Sequence, residues 1–230
     1  MSSGFKQFDG ESAWRSEQFA DAGWIDVLTP AQLQELGAAA RALPEEESQW
    51  LAVTRDDLHL PTLGPHLAKV NKDLEEGKGF ALLRGLEMAP ADSGDYSQED
   101  WAYRVNWVLA VALGNVIAQN TNGEVIGAVQ AVVAANDNGM DTRGYVSSAE
   151  LRFHCDGGDV ASLLCVRQAP EGGLSSLASM HSIHNVMAHE CPQHLAALYR
   201  GLPMYMRAEG DRASAAAASA AMRHCRTPGG

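Results

Sequence analysis

The sequence predicts an α+β fold, with helices and strands segregated along the chain rather than alternating. Three features predict it. Residues 29 to 114 hold capped segments with apolar residues at helical spacing, and residues 115 to 166 change to short β-branched runs broken by Gly, Asn and Asp. Helical texture then returns near Ser182. This order argues against βαβ alternation and a doubly wound parallel sheet. At 230 residues with 46% hydrophobic content, the chain can bury one sizeable core.

Thr29-Pro30, followed by Leu33, Leu36, Ala40 and Leu43, reads as an N-capped helix with proline in its first turn. A second helix follows Thr62, with Leu63, Leu67, Val70 and Leu74 on one face and a stop near Gly77. Gly79 to Leu83 is short, apolar and followed by Arg84-Gly85, which suits a buried strand. Ser97 caps a helix carrying Trp101, Val105, Leu109 and Ala112 on one stripe, and Gly114 ends it. Trp101, Tyr103 and Trp107 on that helix are read as core.

Strands are expected at Val116 to Ala118, Val125 to Val133 and Val160 to Val166, and helices at Ser182 to His189 and after Pro192. Ala213 to Ala221 is almost entirely alanine and serine and has no amphipathic pattern. The domain reading is therefore an N-terminal extension over 1–28, a folded domain over 29–210 and a disordered tail over 211–230.

Lys and Arg number 17 against 29 Asp and Glu, a formal charge of -12, which disfavours nucleic acid and anionic membrane as partners. A small anionic substrate in a local basic pocket is still compatible. The four cysteines form no CxxC pair and are read as reduced thiols. Neither a signal-peptide core nor an apolar run of about 20 residues is present, so a cytoplasmic protein is expected.

The chemistry centres on Leu151-Arg152-Phe153-His154-Cys155-Asp156, where an imidazole and a carboxylate stand two residues apart, on one face of an extended segment. One metal ion could bridge them. With eight histidines in the chain, a bare His-x-Asp is weak alone, and a turn histidine beside a capping aspartate is the plain alternative. The context is more specific. Arg143-Gly144-Tyr145, Asp159-Val160, Leu163-Leu164-Cys165-Val166-Arg167 and Glu171-Gly172-Gly173-Leu174-Ser175 accompany the pair, with Gly79 to Gly85, Leu113-Gly114 and Gln119-Asn120 upstream and His184-Asn185 and Leu202-Pro203 downstream. In order and spacing, over roughly residues 25 to 210, these resemble the taurine dioxygenase-like (TauD/TfdA) family of iron(II)- and 2-oxoglutarate-dependent oxygenases.

The resemblance implies a double-stranded β-helix, or jelly roll, of clavaminate synthase-like kind with flanking helices. It implies His154 and Asp156 as ligands of Fe(II), Ser175 as a hydrogen-bond donor to 2-oxoglutarate as co-substrate, and hydroxylation of a small organic substrate. The plain alternative for Ser175 is a serine satisfying a strand-end backbone group. The family's second metal histidine and its 2-oxoglutarate arginine come later in the family pattern, which is followed here only to about Gly210. His181, His184, His189, His194 and His224 are not matching substitutes. A zinc set of His189, Cys191 and His194 is the competing metal site, although Pro192 interrupts that turn. The expectation is therefore an incomplete jelly roll in a truncated member, with self-association through unpaired strand edges. The alternative function is a non-catalytic relative acting at most as a binding or interaction module.

Overall fold

A computed structural model describes residues 4–87, 95–118, 124–129 and 151–201. Its elements are β1 (Ile25–Val27), α1 (Pro30–Ala42), α2 (Leu63–Glu75), β2 (Leu82–Arg84), α3 (Gln98–Leu113), α4 (Met180–Glu190) and α5 (Pro192–Tyr199), with one-turn and two-turn 3-10 helices in the N-terminal stretch and between α1 and α2. They fall into two compact units, one of residues 21–177 and one of residues 1–20 with 178–230.

In the larger unit, α1 starts where Thr29 dictates. The Thr29 hydroxyl accepts from the Gln32 amide at 3.3 Å, and the Gln32 side chain accepts from the Thr29 amide at 2.8 Å. Pro30 occupies the first turn, where its missing N–H costs nothing. Leu36, Ala39 and Ala40 face inward. The start of α2 is capped differently: Thr62 makes no cap of its own, and the Glu35 carboxylate of α1 accepts from the Thr62 amide (2.9 Å), the Thr62 hydroxyl (2.7 Å) and the Leu63 amide (2.8 Å). A carboxylate here satisfies orphan N–H groups and opposes the positive end of the helix dipole. Burial is the largest single influence on Glu35 and works to raise its pKa. The donors from Leu63 and Thr62, with His59 nearby, together outweigh it and hold the carboxyl below its usual range.

α3 is the central helix. Ser97 caps it by accepting from the Asp100 amide at 3.1 Å, and Trp101, Val105, Trp107, Val108, Leu109 and Ala112 are all buried. α1 and α2 both pack on it, and Gly37 of α1 leaves room for the Trp101 ring. Arg104 lies in the middle of this apolar surface, only 3% exposed. Its guanidinium donates to the Ala40, Leu43 and Pro44 carbonyls at 3.2, 3.0 and 3.2 Å. These are the orphan acceptors at the end of α1 and just beyond it. The group also lies 4.2 Å from the Tyr96 ring centroid and 3.6 Å from the Glu45 carboxylate.

β1 and β2 pair in parallel, with Ile25 opposite Leu82, Asp26 opposite Leu83 and Val27 opposite Arg84. α1 and α2 form the crossover that parallel pairing requires. Gly85 ends the ladder at φ 102°, a conformation that disfavours side chains.

The strand expectations are corrected in part. β2 starts at Leu82 rather than Gly79, and β1 had no expectation at all. Val116 to Ala118 and Val160 to Val166 are not strands, nor is the described part of Val125 to Val133. The physical reason is the partner. The 160–167 stretch is held by side chains of α3, which offer no ladder, since Ser162 donates to Asn106 at 3.4 Å, Arg167 contacts Glu99 and Leu164 packs on the core. Residues 130–133, Arg143-Gly144-Tyr145, Gln119-Asn120, Leu202-Pro203, His224 and the 211–230 tail lie outside the described residues.

In the smaller unit, α4 is capped by Ser179, which accepts from the Ser182 amide at 3.0 Å. The N-terminal stretch is stitched to it. Asn185 exchanges two hydrogen bonds with the backbone of Phe8, at 2.9 and 2.7 Å, while Ser179 and Ser182 donate to the Ser12 and Trp14 carbonyls. Phe8 stacks on His181 with centroids 4.0 Å apart.

Two outcomes follow for stability. Arg104→Met is expected to lower unfolding free energy by about 3 kcal/mol in urea titrations followed by tryptophan fluorescence, because buried carbonyls lose their donor. Arg104→Lys should recover less than half, since an ammonium lacks the planar fork. Glu35→Gln is expected to cost about 1 kcal/mol at neutral pH. Because the folded pKa is depressed, the Glu35 contribution is full above the unfolded value of about 4.3 and is lost as pH falls through the folded value. The gap between wild type and Glu35→Gln should therefore narrow below about pH 4 in the same titration.

Candidate metal and co-substrate site

α3 sets the course of the segment that carries the candidate ligands. Leu164, Ser162 and Arg167 are fixed along the helix as described, and at its C-terminal end Gly158 lies against Ile117, with space for an added Cβ only 3.7 Å from the Ile117 side chain. The loop before Gly158 holds His154 and Asp156. Both are solvent-accessible, with side chains 55% and 64% exposed.

The two side chains converge. His154 Nε2 is 3.6 Å from Asp156 Oδ1. Two donors bound at about 2.1 Å to one divalent cation lie no more than about 4.2 Å apart, so this separation fits a shared ion. The other ring nitrogen, Nδ1, is 2.7 Å from the Arg152 carbonyl oxygen. A carbonyl only accepts, so Nδ1–H donates to it, and Nε2 is the ring nitrogen turned toward Asp156. Backbone carbonyls commonly orient metal-binding histidines in this way.

The nitrogen and oxygen donors therefore fit an iron(II) ion as two members of a ligand set. No third His, Cys, Asp or Glu joins them among the described residues. The competing His189, Cys191 and His194 set is not assembled as a metal group either. His181 and His184 are engaged elsewhere, with His181 Nδ1 2.7 Å from the Ser12 hydroxyl and His184 Nε2 2.9 Å from the Tyr199 hydroxyl. Cys155, between the two candidate ligands, is a free exposed thiol, and Cys165 and Cys191 are also free.

Ser175 follows a turn at Gly172 and Gly173, whose φ values of 75° and 66° place both in the left-handed region that glycine tolerates best. The serine is exposed in irregular chain. Its separation from His154 is not fixed by any direct contact among the described residues. Sequence reasoning missed the helix contacts that carry this segment, Asn106 to Ser162 and Glu99 to Arg167. Their one sequence signal is a polar flank on an otherwise apolar helix.

A mixed helix and strand domain with one histidine–aspartate pair able to share a cation defines the class only as a candidate metalloprotein. Comparison with known proteins sharpens it. Residues 40–227 match the family described as taurine catabolism dioxygenase TauD, TfdA family, and the chain belongs to that family. It is 30% identical over 205 residues to FR-33289 synthase of Streptomyces rubellomurinus, covering 89% of this chain and 59% of that protein. It is 26% identical over 199 residues to the taurine hydroxylase-like protein SAT17 of Stachybotrys chartarum, covering 81% of this chain and 49% of that protein. The chain thus spans between about half and three fifths of the length of these relatives. No helix among the described residues is long and apolar enough to cross a membrane.

Proposed function

We propose that this chain carries the metal-binding part of an iron(II)- and 2-oxoglutarate-dependent dioxygenase that hydroxylates a small organic substrate. The observation that carries the reading is the pairing of His154 and Asp156 at 3.6 Å with the histidine Nδ1–H held by the Arg152 carbonyl. Membership of the dioxygenase family supports it. The jelly roll of that family belongs to the same proposal.

Iron(II) and 2-oxoglutarate, when bound, would supply the activation of dioxygen, one oxygen atom going to succinate as 2-oxoglutarate loses carbon dioxide and the other into a substrate C–H bond. The residues of this chain do simpler things. His154 offers Nε2 while its other nitrogen stays hydrogen-bonded, which holds the ring plane. Asp156 contributes a negative oxygen donor that offsets cation charge. Ser175 donates its hydroxyl proton to a 2-oxoglutarate carboxylate, a charge-assisted bond. Two protein donors would leave positions on the ion open to other ligands.

A second reading rests on the absence of a third donor beside the pair among the described residues. On that reading the chain is a non-catalytic relative that binds metal weakly or acts as an interaction module.

Anaerobic titration with iron(II) and 2-oxoglutarate separates the two. The oxygenase reading expects a visible charge-transfer band and succinate release on admitting air, with both lost in His154→Ala and in Asp156→Ala. Absence of both signals in the wild type supports the non-catalytic reading, and binding retained in both variants moves the metal elsewhere.

Self-association belongs to this proposal. Leu151, Phe153, Val160, Leu163, Leu174 and Leu177 are all exposed between residues 151 and 177. Exposed apolar surface, where it is contiguous, favours association. Light scattering after size exclusion is expected to show mass rising with concentration, and Leu163→Lys with Leu174→Lys to shift the chain toward monomer. A monodisperse wild-type monomer would overturn this expectation.

A further inference from the structure

Residues 5–10 form neither helix nor strand, yet contacts from α4 and α5 hold them and the 3-10 turn that follows at defined points. Ser179, Ser182 and Asn185 recur at intervals of three along α4 and its cap, which puts them on one face. Ser179 donates to the Ser12 carbonyl at 2.6 Å and Ser182 to the Trp14 carbonyl at 2.7 Å. The Asn185 amide donates to the Phe8 carbonyl at 2.7 Å and accepts from the Phe8 N–H at 2.9 Å, much as a neighbouring strand would. These four bonds read main chain alone.

Side chains are read at two positions three apart. Phe8 lies flat on the His181 ring, with centroids 4.0 Å and planes 9° apart, and meets the His184 ring edge-on at 4.8 Å. Phe5 stacks on Tyr199 of α5 at 5.5 Å. The connectivity adds a second observation. Residues 1–20 and 178–230 form one unit, and the chain that joins them runs through all of residues 21–177. Residues 1–20 contain no cysteine, so the two pieces are held to each other by non-covalent contacts alone. In a second copy the same piece carries the same groups, and every contact above can be remade between copies with only the crossing near residue 20 changed.

We propose that α4, with Tyr199, is a receptor face for a peptide segment carrying two aromatic residues three apart, and that its ligand is residues 5–14 of this chain, exchangeable with the same segment of a second copy. The main-chain bonds give the face its grip and the two rings give it selectivity. It uses none of the candidate metal-site residues and needs no metal.

The test follows the fluorescence anisotropy of a labelled peptide of residues 4–20 as full chains are added. The wild-type face already holds its own segment. The Phe8→Ala chain, whose own segment is loosened, is expected to bind the peptide at least about tenfold more tightly than wild type, since affinity follows the fraction of open sites. Phe8→Ala in the peptide, or Asn185→Ala added to that chain, is expected to weaken binding about tenfold. Alanine favours helix, so Asn185→Ala leaves α4 formed, which far-UV circular dichroism checks. Should it not, Ser182→Ala takes its place. Intact copies give the second readout. The Asn185→Ala chain keeps its segment and the Phe8→Ala chain keeps its receptor face, so light scattering is expected to find their equimolar mixture heavier than either chain alone at the same total concentration. The proposal is overturned if the Phe8→Ala chain does not bind the peptide, if it binds no more tightly than wild type, or if the mixture is no heavier than its components.

Discussion

The larger unit depends on one buried cation. Arg104 sits inside an apolar helix face, where an unpaired charge would be prohibitive, and is tolerated because three carbonyls at the end of α1 need donors that the helix itself cannot provide. Each side solves the other's problem. The guanidinium also fixes geometry, because its planar fork reaches Ala40, Leu43 and Pro44 together only when α1 ends opposite the middle of α3. The Trp50 indole donates to the same Pro44 carbonyl at 2.9 Å, tying the following 3-10 turn into the arrangement.

What Arg104 fixes, α3 passes on. The helix has its buried face on α1 and α2, and its polar flank holds Asn106 and Glu99, where the segment after Asp156 is laid down. The candidate ligands therefore depend on a helix well upstream in the chain, since Asn106 and Ser162 are 56 residues apart. The loop that bears them is exposed, and its order comes from anchors on one side: Gly158 on Ile117, Ser162 on Asn106 and Arg167 on Glu99. Rigidity of the scaffold and accessibility of the donors are thus separated along the chain, a common arrangement for sites borne on loops.

Much of the helical structure was legible because capping is local. Thr29 with Gln32, Ser97 with Asp100, and the glycines at 77 and 114 set the helix limits through neighbours within a few residues. The capping of α2 by Glu35 was not legible, since its partners are 27 and 28 residues away. Arg104 was hidden for a different reason: a lone charge in an apolar stripe reads as a residue at the water boundary, and only the position of α1 makes it interior. Strand expectations fared worst, because an apolar run shows that a segment is buried or extended but not which backbone pairs with it. The His154 and Asp156 juxtaposition was suggested by their spacing only together with its sequence context, and the segment that bears them is an irregular loop rather than extended chain. The Arg152 carbonyl that orients the histidine was not legible, because it depends on a turn rather than on a residue type.

The smaller unit joins the two ends of the described chain. Phe8 and Asn185, which exchange two hydrogen bonds, are 177 residues apart. At a ribosomal rate of about 5–20 residues per second, roughly 10 to 35 s pass between synthesis of the first partner and the second. Throughout that interval Phe5 and Phe8 have no α4 or α5 to rest on, although by its end the larger unit has all of its sequence. A nascent chain therefore carries these aromatics without their helical partners while its centre condenses.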